Sequence, residues 1–227
     1  MSGRPDAARI KAERSLELRK RLREVEAAII ARNPEHIIAP TLTRIESVLD
    51  LLGHPERSAP MVHITGTNGK TTTARMIERL LLEMGLTTGR FTSPHLHDIR
   101  ERIVIGGELV TTDRFLAAYD DVLPYVEIAD AASVAEGGPK LSFFELLVAM
   151  AYAAFADAPV DVQIVEVGMG GAWDATNVAD GAVAVLGPIS MDHEKYLGTD
   201  LAAIAGEKAG IIKAGSIVLS APQDPLV

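Results

Sequence analysis

The chain has 227 residues, a formal net charge of −9, 48% hydrophobic and 23% charged residues, and no cysteine. The acidic balance argues against a protein that coats nucleic acid, and without cysteine there is no disulfide, thiolate metal site or cysteine nucleophile. No apolar run approaches the ~20 residues that cross a bilayer, and the charged N-terminus lacks an apolar signal core, so the composition reads as that of a globular, cytoplasmic protein.

Residues 6–31 alternate Arg/Lys with Glu and place Ile10, Leu18, Leu22, Val25 and Ile29 roughly on one face. That spacing predicts an amphipathic surface helix, ended near Asn33-Pro34. A second helix is expected over 41–53, starting at a Thr and stopping at Gly53. A loop from Pro55 to Pro60 then leads into the apolar run Met61-Val62-His63-Ile64.

That run ends in Thr65-Gly66-Thr67-Asn68-Gly69-Lys70-Thr71-Thr72, after which Met76, Ile77, Leu80 and Leu81 recur at helical spacing. The pattern is strand, glycine-rich turn, helix. Gly66 and Gly69 let backbone N–H groups close around a phosphate, and the helix N-terminus adds partial positive charge. Lys70 supplies a full charge for the outer phosphates, and the Thr71 hydroxyl can reach a bound Mg2+. Residues 66–72 therefore read as a nucleotide-phosphate cradle, although the general P-loop pattern wants glycine at position 64, where the chain has Ile.

Beyond Gly85, residues 87–96 predict a strand running into a loop, and 102–110 a hairpin turning at Gly106-Gly107. Helices are expected over 112–129 and 142–156, the latter opened by a capping box between Ser142 and Glu145. The small, glycine-rich residues 131–140 between them read as exposed. Strands follow at 160–167, 182–187 and 216–220, with a helix at 199–212. The alternation predicts an α/β fold: a mostly parallel sheet flanked by helices, with a P-loop-type ATP site. Residues 1–60 would form N-terminal helices and 61–227 the ATP-binding domain.

In such sheets ligands gather at the carboxyl ends of the strands. Ser93, Glu166 and His193 all lie there or a few residues beyond. A carboxylate inside an apolar run needs a partner, and Glu166, Ser93 and Thr71 are hard ligands suited to Mg2+. Each also has a plain reading: a structural salt bridge for Glu166, a loop serine for Ser93, a capping or core histidine for His193. Lys208, in Gly206-Glu207-Lys208-Ala209-Gly210, is either a surface lysine or one packed closely by small neighbours. Trp173 and Asp174 follow the glycine run 168–171 and could line a pocket.

Several stretches together resemble the folylpolyglutamate synthase/dihydrofolate synthase family of the Mur-ligase superfamily. They are HITGTNGKTT (63–72), TSPHL (92–96) with Glu101-Arg102-Ile103, SFFE (142–145), EVGMGG with WDATN (166–177), MDH (191–193) and IAGEKAGIIK (204–213). The resemblance implies an ATP- and Mg2+-dependent ligase. It passes the γ-phosphate to a folate or dihydropteroate carboxylate, and the amine of L-glutamate attacks the resulting acyl phosphate. It further implies that Thr67 to Lys70 hold ATP, that Ser93 and Glu166 ligate one Mg2+ and His193 a second, and that Lys208 carries a carbamate. By the same resemblance Ser142, Phe143, Phe144, Glu145, Trp173, Asp174 and Ala175 hold the pteroate, and the protein is a monomer with no nucleic-acid or membrane partner.

Two departures stand out. Ala172 replaces the family's usual arginine, which puts activity or substrate preference in doubt. The family's chain also continues well past residue 227 into a C-terminal glutamate-ligase domain, so the expectation is a chain incomplete at its C-terminus, with little ligase activity alone. The alternatives are another Mur-type ligase acting on a nucleotide-linked peptide, or a nucleotide-binding module without catalysis.

Overall fold

The computed structural model describes residues 7–32, 41–192 and 194–227. The expected helix stop at Asn33-Pro34 and the candidate ligand His193 lie outside the described residues. In chain order the elements are α1 (Ala7–Ile30), α2 (Thr43–Leu51), β1 (Met61–Thr65), α3 (Lys70–Glu83), β2 (Thr88–Phe91), β3 (Ile103–Ile105), β4 (Glu108–Leu109), α4 (Thr112–Ala135), α5 (Phe143–Asp157), β5 (Val162–Glu166), β6 (Val183–Leu186), α6 (Glu194–Leu197), α7 (Leu201–Ala209) and β7 (Ile217–Ser220).

The strands form one sheet in the order β4-β3-β2-β5-β1-β6-β7. The five from β2 to β7 run parallel, while β3 and β4 add an antiparallel hairpin at the edge. Gly106 and Gly107 turn that hairpin with φ of 61° and 79°, the positive values that a two-residue turn between twisted strands requires. Val62 and Ile64 face α3 and pack with Ala74 and Ile164. Met61 and Val165 face the other side, where α5, α4, α2 and the end of α1 build the main core. Parallel strands covered on both faces account for the mostly apolar runs at 61–64 and 162–165, each with one buried polar residue, His63 and Gln163.

Helix α5 is apolar nearly all round because it lies between sheet and helices, with Leu146, Leu147, Met150 and Phe155 fully buried. The expected capping box is present: the Ser142 hydroxyl accepts from Glu145 N–H, and the Glu145 carboxylate accepts from Ser142 N–H. Helices α1 and α4 lie side by side, with Arg14–Asp113 and Arg21–Asp120 pairs a constant 99 residues apart. The N-terminal helices thus share the main core with α4 and α5, through Val25, Ile29, Ile45 and Val48.

Residues 131–135 are largely exposed, as expected, but they extend α4 by a further turn beyond the helix end expected at 129. Alanine is the strongest helix former, and the turn is anchored from inside. Buried Asp130 pairs with Arg32 at 2.9 Å and accepts from Leu141 N–H at 2.7 Å. The helix also runs through Pro124, which sits on its solvent face.

A buried ion pair braces α3 to β2. Arg90 Nε donates to Glu78 Oε2 at 2.7 Å, and Arg90 Nη1 donates to Thr92 Oγ1 at 2.9 Å. Arg90→Ala would strand a buried carboxylate whose Oε1 already has no partner. We expect it to cost about 3–5 kcal/mol in urea unfolding, with most of this recovered when Glu78 is replaced by leucine as well. A loss below about 1 kcal/mol in the single variant would mean that the pair is not buried as described.

Candidate functional site

The loops leaving β1 and β6 pass to opposite faces of the sheet: α3 covers one, and α7 packs over Ala184 and Leu186 on the other. This opens a crevice at the carboxyl ends of these strands, and the glycine-rich turn lies in it. Gly66 takes φ 146°, and a side chain there would meet the Gly187 backbone at 3.0 Å, so two glycines let the loops after β1 and β6 touch. Thr67 fastens the contact. Its N–H donates to Pro188 O at 2.9 Å, and its hydroxyl exchanges bonds with Ser190. Gly69, at φ 80°, is the residue before α3, and Lys70 is that helix's first residue.

Lys70 Nζ donates to Gly66 O at 2.9 Å, and Lys208 Nζ approaches the same oxygen at 3.3 Å. Lys208 is not a surface lysine: it is 2% exposed. Burial, and then the neighbouring Lys70 charge, lower its pKa to about 8.

Glu166 ends β5 beside this loop, in register with Ile64. The Thr71 hydroxyl lies 3.0 and 2.9 Å from its two oxygens, and Ser93 N–H lies 3.4 Å from Oε2. Its hydrogen-bond partners among the described residues are thus a hydroxyl and an amide, and burial raises its pKa against the opposing pull of Thr71 and of the Lys70 and Arg90 charges. The structure therefore gathers Thr71, Ser93, Glu166, Lys70 and Lys208 at one point. Among the described residues no group of three or more His, Cys, Asp or Glu is arranged to hold a metal ion by itself. A desolvated carboxylate flanked by hydroxyl-bearing residues still fits a hard cation that draws its other ligands from water and phosphate.

The segments named for the pteroate meet next to this centre. The Phe144 ring lies over Gly168, whose missing side chain admits it, and tilts against Phe91 at 5.8 Å between centroids. Phe144 and Trp173 are half-buried and reachable. Others of the set have internal partners. Glu145 takes the Arg44 guanidinium at 3.1 Å besides capping α5. Asp174 is buried and accepts from Met169 N–H and Thr176 N–H, both at 2.9 Å. Phe143 lies under Arg102, which in turn donates to His95 Nδ1 at 2.9 Å.

Sequence reasoning passed over His63 and Thr176. His63 is fully buried in β1, with Nε2 2.9 Å from the Thr176 hydroxyl, which also bonds Asp174. Burial, then the Lys213 charge, push its pKa down to about 3, so it is neutral. One polar residue inside the apolar run 61–64 was the available signal.

Residues 64–101 match the model of the Mur ligase middle domain. The chain is 55% identical to a dihydrofolate synthase/folylpolyglutamate synthase of Mycobacterium tuberculosis, over 84% of this chain and 40% of that protein. It is 38% identical to one of Bacillus subtilis, over 83% and 43%. Its fold superposes on M. tuberculosis folylpolyglutamate synthase complexed with ADP and AMPPCP with a TM-score of 0.84 at 48% identity, covering 92% of this chain and 46% of that one. An FPGS–AMPPCP–folate complex superposes with a TM-score of 0.83 at 36% identity, covering 90% and 49%. The chain thus spans less than half the length of these relatives. In sequence and in fold it matches the N-terminal portion of members of the folylpolyglutamate synthase/dihydrofolate synthase family of Mur ligases.

Proposed function

We propose that the chain is the nucleotide- and cation-binding portion of an ATP-dependent ligase that adds L-glutamate to a folate or dihydropteroate carboxylate through an acyl phosphate. The observation that carries this reading is the convergence of Lys70, Lys208, Thr71 and Glu166 around the glycine loop. The names of similar structures, with ADP, AMPPCP and folate bound, support it. No described helix is long and apolar enough to cross a membrane, and we read the protein as cytoplasmic and monomeric, with residues 61–227 as its nucleotide-binding unit.

In this reading Gly66 to Thr72 wrap the phosphates, with Lys70 opposite the outermost. Ser93, Glu166, His193 and Lys208 would hold Mg2+, whose charge offsets that of the transferring phosphoryl group. Phosphoryl transfer needs positioning and charge neutralisation more than a protein nucleophile, which suits a site without cysteine. Phe144 and Trp173 offer aromatic faces to a flat pterin. Calorimetric titration with Mg·ATP and then dihydropteroate tests the proposal. Nucleotide binding that requires Mg2+ is expected; binding of a UDP-linked peptide in place of the pteroate would move the chain to another branch of the Mur ligases.

The Lys208 carbamate makes a separate prediction. A neutral amine adds CO2 and releases one proton, turning an ammonium into a carboxylate. Burial brings the neutral amine within reach near neutral pH. Native mass spectra recorded in bicarbonate are expected to show a gain of one CO2 that disappears on acidification and in Lys208→Met. Identical masses with and without bicarbonate would remove the carbamate from the site.

A further inference from the structure

We propose that Glu207 is a positioning residue that couples the phosphate loop to Trp173, so that nucleotide occupancy sets the geometry of the 168–175 loop. The inference rests on the nucleotide reading above. Two successive residues of α7 reach in two directions. Lys208 Nζ approaches Gly66 O of the phosphate loop at 3.3 Å, while Glu207 Oε1 accepts from Trp173 N–H at 3.2 Å.

Around them the glycine run and the end of α7 are locked backbone to backbone. Ala172 N–H donates to Glu207 O at 2.9 Å. A side chain at Gly171 would lie 2.6 Å from Glu207 O and 2.7 Å from Lys208 O, so only glycine allows the approach. Asn177 Nδ2 bridges Ala172 O at 2.9 Å and Gly210 O at 3.1 Å. Within this body the Trp173 peptide is held by a side chain, the Glu207 carboxylate.

The other end of the connection has reason to move. The side-chain nitrogens of Lys70 and Lys208 share one neutral carbonyl oxygen. A phosphate in the cradle draws Lys70 away and changes what Lys208 faces. Because Lys208 and Glu207 are consecutive on one helical turn, the change is carried to the Trp173 peptide. Coupling through a packed element of this kind is reciprocal.

Trp173 is the sole tryptophan of the chain, so its emission reports on this loop alone. In the wild type, Mg·ATP is expected to change Trp173 emission with the same midpoint as the calorimetric binding curve. Glu207→Ala should lose that response and bind Mg·ATP about five-fold more weakly, the size of a modest coupling. Glu207→Gln keeps an acceptor oxygen at the same reach and should restore both. Glu207→Asp keeps the charge but falls short of the Trp173 amide and should behave like Ala, which preserves the test if the alanine variant does not fold. Thermal melts identify variants that fold. Wild-type calorimetric binding with no emission change would overturn the proposal, as would Gln behaving like Ala or Asp like the wild type, since charge rather than reach would then be what matters. If wild-type protein shows no heat with Mg·ATP, the nucleotide reading itself falls, a distinct result.

Discussion

Lys70→Ala is expected to weaken Mg·ATP binding at least about thirty-fold and to leave the fold intact. The ammonium hangs inside the loop from the first residue of α3 and donates to the Gly66 carbonyl at 2.9 Å. That acceptor is neutral, and Lys208 shares it. Phosphate oxygens offer a charged acceptor in place of a shared neutral one, so the bond gained on binding is stronger than the one surrendered. Removing one partner of a desolvated charge pair costs about 2 kcal/mol or more, which is the thirty-fold stated. Less is lost in the empty protein: truncation removes one half-buried bond and an attraction to the Glu166 carboxylate, offset by relief of the repulsion with Lys208. Unfolding free energy should therefore stay within about 0.5 kcal/mol of wild type. Lys70→Arg is not expected to rescue binding, because a planar fork does not fit where a compact point charge is enclosed by backbone. Calorimetry with Mg·ATP, beside urea unfolding of the same samples, decides the matter. Near wild-type affinity in Lys70→Ala would mean that the glycine turn is a loop without a ligand.

What could be read from the chain and what could not divide along physical lines. The strand, glycine-rich turn and helix at 61–83 were legible because their signal is local: two glycines, a lysine and a helix start lie within seven residues, and the structure keeps them as β1, turn and α3. The strand at 160–167 was legible for the same reason, and so was the odd carboxylate inside it. The environment of Lys208 was not. Its burial comes from the close approach of the glycine run to α7, which depends on Gly171 and on contacts 35 or more residues away in sequence. Likewise nothing in the sequence singles out Arg90 and Glu78. They become a buried pair only when α3 lies down on β2. The early helix end expected at 129 has another cause. Glycines at 137 and 138 were allowed to speak for the alanines before them, whereas the helix is held by Asp130 from within. The capping box at Ser142 and Glu145 shows the limit of a correct reading. It was seen as a helix start and also assigned to the pteroate by resemblance, and the structure adds a third commitment of Glu145, to Arg44.

Glu166→Gln is expected to move stability and function in opposite directions. In the empty protein the Glu166 carboxylate is buried, its partners are the Thr71 hydroxyl and the Ser93 amide, and burial raises its pKa above 4.5. An acid whose pKa is raised on folding holds its proton more tightly in the native state than in the unfolded one. Stability then falls as pH rises from the unfolded value through the folded one, and the full penalty stands above the folded value. Glutamine has nearly the same shape, carries no charge, and can still accept from Thr71. At neutral pH the variant should melt a few degrees above wild type, and the gap should close as pH falls toward 4.5. The same substitution takes a hard anionic ligand from the cation site. Nucleotide affinity in Mg2+ should fall more than about ten-fold, to a level that EDTA no longer changes. Melting curves from pH 4 to pH 8, with nucleotide titrations in Mg2+ and in EDTA, measure both effects. A variant that is less stable at neutral pH and still depends on Mg2+ would make Glu166 a structural acceptor for Thr71 and Ser93, and the cation would have to be held elsewhere. The result expected here instead identifies a carboxylate that costs the empty protein stability and repays it only when a cation arrives.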